Sequence, residues 1–165
     1  MIRVGILTIS DGVAAGTRED ESGVALQLRA ILLVWNVSWT DVVSDDQQGI
    51  SGAISPMAHS GNLDVILTTG GTGVAPRDVT PEAVRSIADR EIPGLGEVMR
   101  SEGRKSTKFA ALSRSAAYTL GTTLIVTLPG SPRGAVESLN AVVELIPHVV
   151  DLLHGQTEHR AKPLP

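Results

Sequence analysis

The chain is 165 residues long, enough for one domain with its own core. Its 14 Lys+Arg face 18 Asp+Glu with no basic run, and only Trp35, Trp39, Phe109 and Tyr118 are aromatic, which argues against nucleic-acid binding through phosphate neutralisation or base stacking. With no cysteine, disulfides, thiolate zinc sites and thiol nucleophiles are excluded.

The first residues lack the apolar core and cleavage site of a secretory signal, and no apolar run approaches the roughly 18 residues of a membrane span, so a cytoplasmic protein without membrane contact is expected. Residues 2–9 are apolar and β-branched and stop at Ser10-Asp11-Gly12, the pattern of a buried strand feeding a polar loop. Ser22 is placed to cap a helix whose inner face is Val24, Ala25, Leu28, Ile31 and Leu32. A second strand over 37–43 ends at Ser44-Asp45-Asp46. The helix behind it, through Ile50, Ala53, Ile54 and Met57, is expected to end or kink at Pro56.

Residues 63–68 form a third strand, which runs into Thr69-Gly70-Gly71-Thr72-Gly73. Thr80 and Pro81 predict a helix start with Thr80 as its cap, and Ile92-Pro93-Gly94-Leu95-Gly96 reads as a loop before a further helix. Residues 122–128 make a later strand, ended by Pro129-Gly130-Ser131-Pro132. Val136, Leu139, Val142, Val143 and Ile146 then share one helical face. The β-α-β-α-β-α…β-α order predicts one α/β domain over 1–155, a mostly parallel sheet covered on both faces, with a loose polar tail over 156–165.

Ligands of open α/β sheets bind at the carboxyl ends of strands. Four such ends are polar: Ser10-Asp11, Ser44-Asp45-Asp46, the Gly70 loop and the Pro129 loop. Each alone reads as a turn or cap; together they point to a site. Three glycines within Gly70-Gly71-Thr72-Gly73 allow tight turning and close approach, and free N–H groups there suit a phosphate. Pro76 stands where a dinucleotide fingerprint needs glycine, and no Gly-Lys-Ser/Thr follows, so neither that motif nor a P-loop is present. With Thr80 as the cap, Asp78 is free for another task. A carboxylate beside a phosphate cradle repels its ligand unless a cation lies between, which predicts a divalent ion such as Mg²⁺. Asp45 offers a second carboxylate, although Asp45-x-x-Gln48 also fits a capping box. His148, His154 and His159 lack zinc spacing and read as surface or structural residues.

These segments resemble the MogA/MoaB family of molybdenum cofactor biosynthesis. The likeness is carried by Thr8-Ile9-Ser10-Asp11, Asp20-Glu21-Ser22-Gly23, Gly70-Gly71-Thr72-Gly73 and Arg77-Asp78-Val79-Thr80-Pro81-Glu82-Ala83, and by Ile92-Pro93-Gly94-Leu95-Gly96-Glu97, Leu112-Ser113-Arg114 and Leu128-Pro129-Gly130-Ser131-Pro132. The resemblance implies a three-layer α/β/α fold and assembly as a trimer, or in some members a hexamer. It implies molybdopterin adenylyltransferase activity, in which molybdopterin and ATP give adenylyl-molybdopterin and pyrophosphate. Asp45 and Asp78 would be its two important aspartates, holding Mg²⁺ or orienting its water without abstracting a proton. Ser10, Asp11, Thr69, Gly70, Gly71, Thr72, Gly73, Ser113, Arg114, Pro129, Gly130 and Ser131 would line the pterin and nucleotide sites. The molybdenum-insertion protein of the same pathway is an implied partner. Ser44 stands where many members carry proline. Arg77-Asp78-Val79-Thr80 is the portion altered in apparently inactive MoaB-type members, and its presence favours an enzyme over a non-catalytic molybdopterin carrier. With so few rings, both heterocycles are expected to be held by backbone, aliphatic walls and phosphate contacts, without stacking.

Overall fold

The computed structural model describes residues 1–156. Strands β1 (Arg3–Ile9), β2 (Asn36–Val43), β3 (Val65–Thr69), β4 (Arg90–Glu91), β5 (Ala117–Leu120) and β6 (Thr123–Leu128) form one sheet of order β2-β1-β3-β6-β5-β4. The first four in that order are parallel; β5 is antiparallel to β6 and to β4. The helices are α1 (Asp11–Ala14), α2 (Glu21–Leu32), α3 (Gln47–His59), α4 (Thr80–Arg85), α5 (Pro93–Ser106), α6 (Pro132–Val142) and α7 (Ile146–Leu153), with a 3₁₀ turn over Lys108–Leu112.

Side chains of a strand alternate between faces, so a sheet buried on both sides needs continuous apolar runs. Ile6, Val65, Leu67, Leu124, Val126 and Leu128 face one way, onto Leu26, Met99, Leu139, Val142 and Ile146. Leu7, Ile9, Ile66 and Ile125 face the other way, onto Ile50, Ile54 and Val84. The result is the expected α/β/α arrangement. Its core is aliphatic; Tyr118 is the one fully buried ring among the described residues.

Several local expectations are corrected. The cap of α2 is Asp20, whose carboxylate accepts the Gly23 N–H at 2.9 Å, not Ser22. The face of α2 that enters the core is Ser22, Gly23, Leu26 and Ala30, while Val24, Leu28, Ile31 and Leu32 are exposed. Small residues win that face because α2 lies tight on β1: a Cβ on Gly23 would collide with Thr8 Oγ1. Helix α3 continues through Pro56 to His59, since a proline in the last turn forfeits only one helical bond. Thr80 is the first residue of α4 and Val79 its cap. Pro93-Gly94-Leu95-Gly96 is the first turn of α5, with Pro93 at a position where its missing N–H costs nothing. The closing helical face is split between α6 and α7, and Val136 and Val143 are only half-buried. Strands β4 and β5 were not expected; Gly121, at φ 57°, turns β5 into β6. Beyond Gln156 the expected polar tail, with His159, lies outside the described residues.

Candidate functional site

The chain leaves β1 toward β2 on one side and reaches β3 on the other, so the strand order reverses between β1 and β3 and opens a crevice at their carboxyl ends. Register levels those ends: Ile9 pairs with Val43, Thr8 with Thr69, and Thr69 with Leu128. All four polar loops singled out in the sequence therefore start from one edge. Backbone bonds stitch them together, Ser10 N–H to the Val43 carbonyl at 2.9 Å and Gly70 N–H to that of Leu128 at 3.1 Å.

The Gly70 loop owes its shape to two glycines in the left-handed region, Gly70 at φ 107° and Gly71 at φ 65°. A side chain on Gly70 would strike the Ile9 carbonyl, and one on Gly71 the Thr80 hydroxyl. From beneath, Thr80 Oγ1 donates to the Gly70 carbonyl at 2.9 Å and Thr80 N–H to that of Gly71 at 3.1 Å. Thr69 Oγ1 donates to the Pro129 carbonyl at 2.7 Å, joining this loop to the one after β6. The N–H groups of Gly71, Thr72, Gly73, Val74, Gly130 and Ser131 make no hydrogen bond among the described residues. They are a supply of donors for an anion. Ser10 and Ser131 cap α1 and α6 through their hydroxyls.

The carboxylates are positioned by backbone. Asp11 N–H donates to Asp45 Oδ2 at 2.9 Å, and Asp45 N–H returns the bond to Asp11 Oδ1 at 3.0 Å. Arg77 clamps Asp11 through Nε and Nη2 at 2.9 and 2.6 Å. Asp46, not Asp45, caps α3 by accepting the Gly49 N–H at 2.7 Å, so the capping-box alternative for Asp45 falls. Asp78 caps nothing; its Oδ2 accepts the Ala75 N–H at 2.8 Å across the loop. Asp45 and Asp78 each keep one oxygen, Oδ1, without a hydrogen bond among the described residues. Burial pushes the Asp45 carboxyl above its ordinary value, against the pull of the Asp11 N–H. Arg77, and then the Asp45 N–H, hold Asp11 below its own. No group of three or more His, Asp or Glu side chains that could hold a metal occurs among the described residues. Two free carboxylate oxygens on one cavity nevertheless fit a hard cation that completes its shell with phosphate oxygens and water.

Two cavities meet at this edge. The smaller, about 390 Å³, is polar and is bordered by Ser10, Asp45, Thr69 and Gly70 with Arg18 and Asp20. The larger, about 520 Å³, is mostly apolar and is bordered by Thr72, Gly73, Ser113 and Pro129 with Met99 and Phe109. Gly71, Asp78, Gly130 and Ser131 border both. Two expected site residues line neither. Asp11 is engaged by Arg77 and Asp45, as described. Arg114 lies behind the loop as a strut: its Nε donates to the Gly73 carbonyl at 2.7 Å, Nη2 to the Asp78 carbonyl at 2.6 Å, and Nη1 to Glu82. Sequence reasoning missed this role, and it gave Phe109 no place in the site; a ring in a polar, lysine-rich stretch was the available signal.

Residues 5–148 match the family model described as "Probable molybdopterin binding domain". The molybdopterin adenylyltransferase of Helicobacter pylori is 39% identical over 156 residues, 93% of this chain and 89% of that protein. That of Escherichia coli K12 is 36% identical over 156 residues, 93% of this chain and 79% of its own. Among solved structures, the molybdopterin biosynthesis enzyme MoaB of Thermus thermophilus superimposes with a TM-score of 0.88 at 47% identity, covering 94% of this chain and 98% of that one.

Proposed function

This chain belongs to the molybdopterin-binding domain family, and from that footing we propose that it is a molybdopterin adenylyltransferase of molybdenum cofactor biosynthesis. Its substrates are molybdopterin and ATP. A terminal phosphate oxygen of molybdopterin attacks the α-phosphorus of ATP, the bond from that phosphorus to the bridging oxygen breaks, and pyrophosphate leaves with the electron pair. The phosphate nucleophile is already anionic at neutral pH, so no side chain has to take a proton.

One observation carries the reading: two cavities of different polarity share a wall of unspent backbone donors and one aspartate. Reactants seated on either side of that wall would meet at it. The work left to the protein is to bring polyanions together and hold them in line. The free N–H groups of Gly71, Thr72, Gly73, Gly130 and Ser131 do this by donating to phosphate oxygens, in a loop already held by Thr80 and Arg114. Asp45 and Asp78 would hold Mg²⁺ through their free oxygens, and the ion, when bound, would offset the charge of the triphosphate. Arg77 and Asp11 keep Asp45 in place.

Residues 1–155 act as one domain, with 156–165 as a tail, and the protein works in the cytoplasm as a homotrimer, with a hexamer as the alternative. The exposed aliphatic face of α2 (Val24, Leu28, Ile31 and Leu32) supports self-association. No helix of the described residues is long and apolar enough to cross a membrane. The molybdenum-insertion protein of the pathway is the expected receiver of the product.

The test is pyrophosphate release from molybdopterin, ATP and Mg²⁺. Release that depends on the pterin is expected, and Asp78→Asn should abolish it while leaving pterin binding intact. No release above a pterin-free control would make the protein a molybdopterin carrier. Normal turnover by Asp78→Asn at saturating Mg²⁺ would remove Asp78 from the site.

A further inference from the structure

Breaking the bond to the α-phosphorus leaves its electron pair on the bridging oxygen, so negative charge gathers on the departing pyrophosphate. Arginine suits such a group, because its fork donates parallel hydrogen bonds to phosphate oxygens. Of the arginines around the two cavities, three are engaged within the protein. Arg77 clamps Asp11, Arg114 braces the glycine loop, and Arg100 Nη1 donates to the carbonyls of Ser113 at 3.4 Å and Ser115 at 2.9 Å. Arg18 borders the smaller cavity, and its guanidinium makes no hydrogen bond or ion pair among the described residues.

That guanidinium does not sit on a loose loop. The Gly12 carbonyl accepts three hydrogen bonds, from Thr17 N–H at 2.9 Å, Arg18 N–H at 3.1 Å and Thr17 Oγ1 at 3.0 Å, which close the segment between β1 and α2. The Arg18 stem then lies on Gly12, where a Cβ would come within 2.8 Å of its Cδ. Gly12 is not in the left-handed region, so what glycine supplies here is room for the stem. Glu19, Asp20 and Glu21 follow in sequence and border the same cavity, yet Arg18 pairs with none of them. Asp20 is engaged instead by the Gly23 N–H and the Thr8 hydroxyl. An arginine kept off three adjacent carboxylates is available to an anion that arrives from outside.

We propose that Arg18 is a catalytic residue for the departing group: it grips the β- and γ-phosphates of ATP and holds the pyrophosphate as it forms. It takes and gives no proton. The guanidinium stays charged throughout, and its N–H groups donate to oxygens whose negative charge grows as the bond breaks. Asp45 and Asp78 border the same cavity, so a fixed cation there also offsets their repulsion of a polyphosphate. The choice of ligand rests on the adenylyltransferase reading; the free guanidinium and its bed on Gly12 do not.

The full chain is titrated by calorimetry with inorganic pyrophosphate and, separately, with AMP, both with Mg²⁺ present. Arg18→Ala should weaken pyrophosphate about tenfold and AMP less than about twofold, because AMP lacks the phosphates that leave. Arg18→Lys should recover part of the loss, a point charge replacing a fork. Gly12→Ala keeps the guanidinium but displaces its stem, and should show part of the same loss. In turnover, kcat should fall in Arg18→Ala with KM for the pterin near wild type. An unchanged pyrophosphate Kd in Arg18→Ala would overturn the proposal. So would an equal loss for AMP, the mark of a charge that attracts any anion. If wild type binds pyrophosphate through Arg18 yet releases none from molybdopterin and ATP, the grip stands and the adenylyltransferase reading fails.

Discussion

Replacing Arg114 by alanine should unfasten the Gly70–Asp78 loop without touching either cavity wall. The variant keeps the backbone bond from residue 114 to the Thr72 carbonyl at 2.8 Å, but loses the guanidinium bonds to the carbonyls of Gly73 and Asp78 and the pair with Glu82. A charge-assisted hydrogen bond contributes about 1.5–3 kcal/mol. The low end applies, because the Arg114 and Glu82 side chains are 35% and 42% exposed. Two loop bonds then amount to about 3 kcal/mol, which converts to roughly 100-fold in the ordered population of the loop. We expect kcat/KM for AMP transfer to fall between about tenfold and 100-fold, amide exchange over Gly71–Asp78 to accelerate, and Arg114→Lys to recover part of both, since an ammonium can replace one carbonyl contact but not the fork. A ligand-binding role for Arg114 predicts lost affinity with amide exchange unchanged. That pattern, or wild-type activity in Arg114→Ala, refutes the strut.

Asp64 and Tyr118 offer tests of the fold itself. Burial alone would raise the Asp64 carboxyl, but hydrogen bonds from Arg3 Nη2 at 2.5 Å and from the Arg3 backbone N–H at 2.8 Å hold it below its ordinary value. A depressed carboxyl stabilises above its unfolded pKa, and this contribution is lost as pH falls through the folded one, so denaturation followed between about pH 5 and pH 2 should show a loss of stability that Asp64→Asn lacks. At neutral pH that variant should be less stable by about 2 kcal/mol, the buried-pair figure reduced because Arg3 is partly exposed; equal midpoints in denaturant would contradict this. The Tyr118 hydroxyl is buried without a hydrogen-bond partner among the described residues, and burial raises its pKa further from neutrality. Tyr118→Phe should therefore leave the protein as stable or raise it by about 1 kcal/mol, or a few degrees in Tm. A lowered Tm would mean that the hydroxyl is satisfied in solution.

The layers, the parallel order and the four polar strand ends were legible because they rest on short continuous apolar runs and on Gly/Pro punctuation, both local signals. The phase of α2 was not. Val24, Leu28, Ile31 and Leu32 are more hydrophobic than Ser22, Gly23 and Ala30, yet the tight seat of the helix beside Thr8 selects small side chains, a fact of tertiary distance that composition does not carry. Caps slipped by one or two residues for a related reason: Asp20 and Ser22, or Asp45 and Asp46, have equal chemistry, and only the backbone decides which of them reaches the helix N–H. In the site, Asp78 and the glycines were visible as a motif. Arg114 was visible as a motif member but not as a strut, because its partners lie 32 to 41 positions away in sequence. Strand β5 escaped because four residues are too few for a periodicity to speak.

The ion pair between Arg3 and Asp64 sits where β1 and β3 begin, and the loops of the site sit where those strands end. Five residues of β3 separate the two, roughly 16 Å at strand rise. That span is about twice the screening length at physiological salt. Changes to exposed charges at the starting edge, Arg3 among them, are therefore largely screened at the glycine loop. Acid tolerance can be adjusted at one end of the sheet while the reacting phosphates at the other keep their field, so the fold lets selection, or an engineer, tune endurance and chemistry on separate dials.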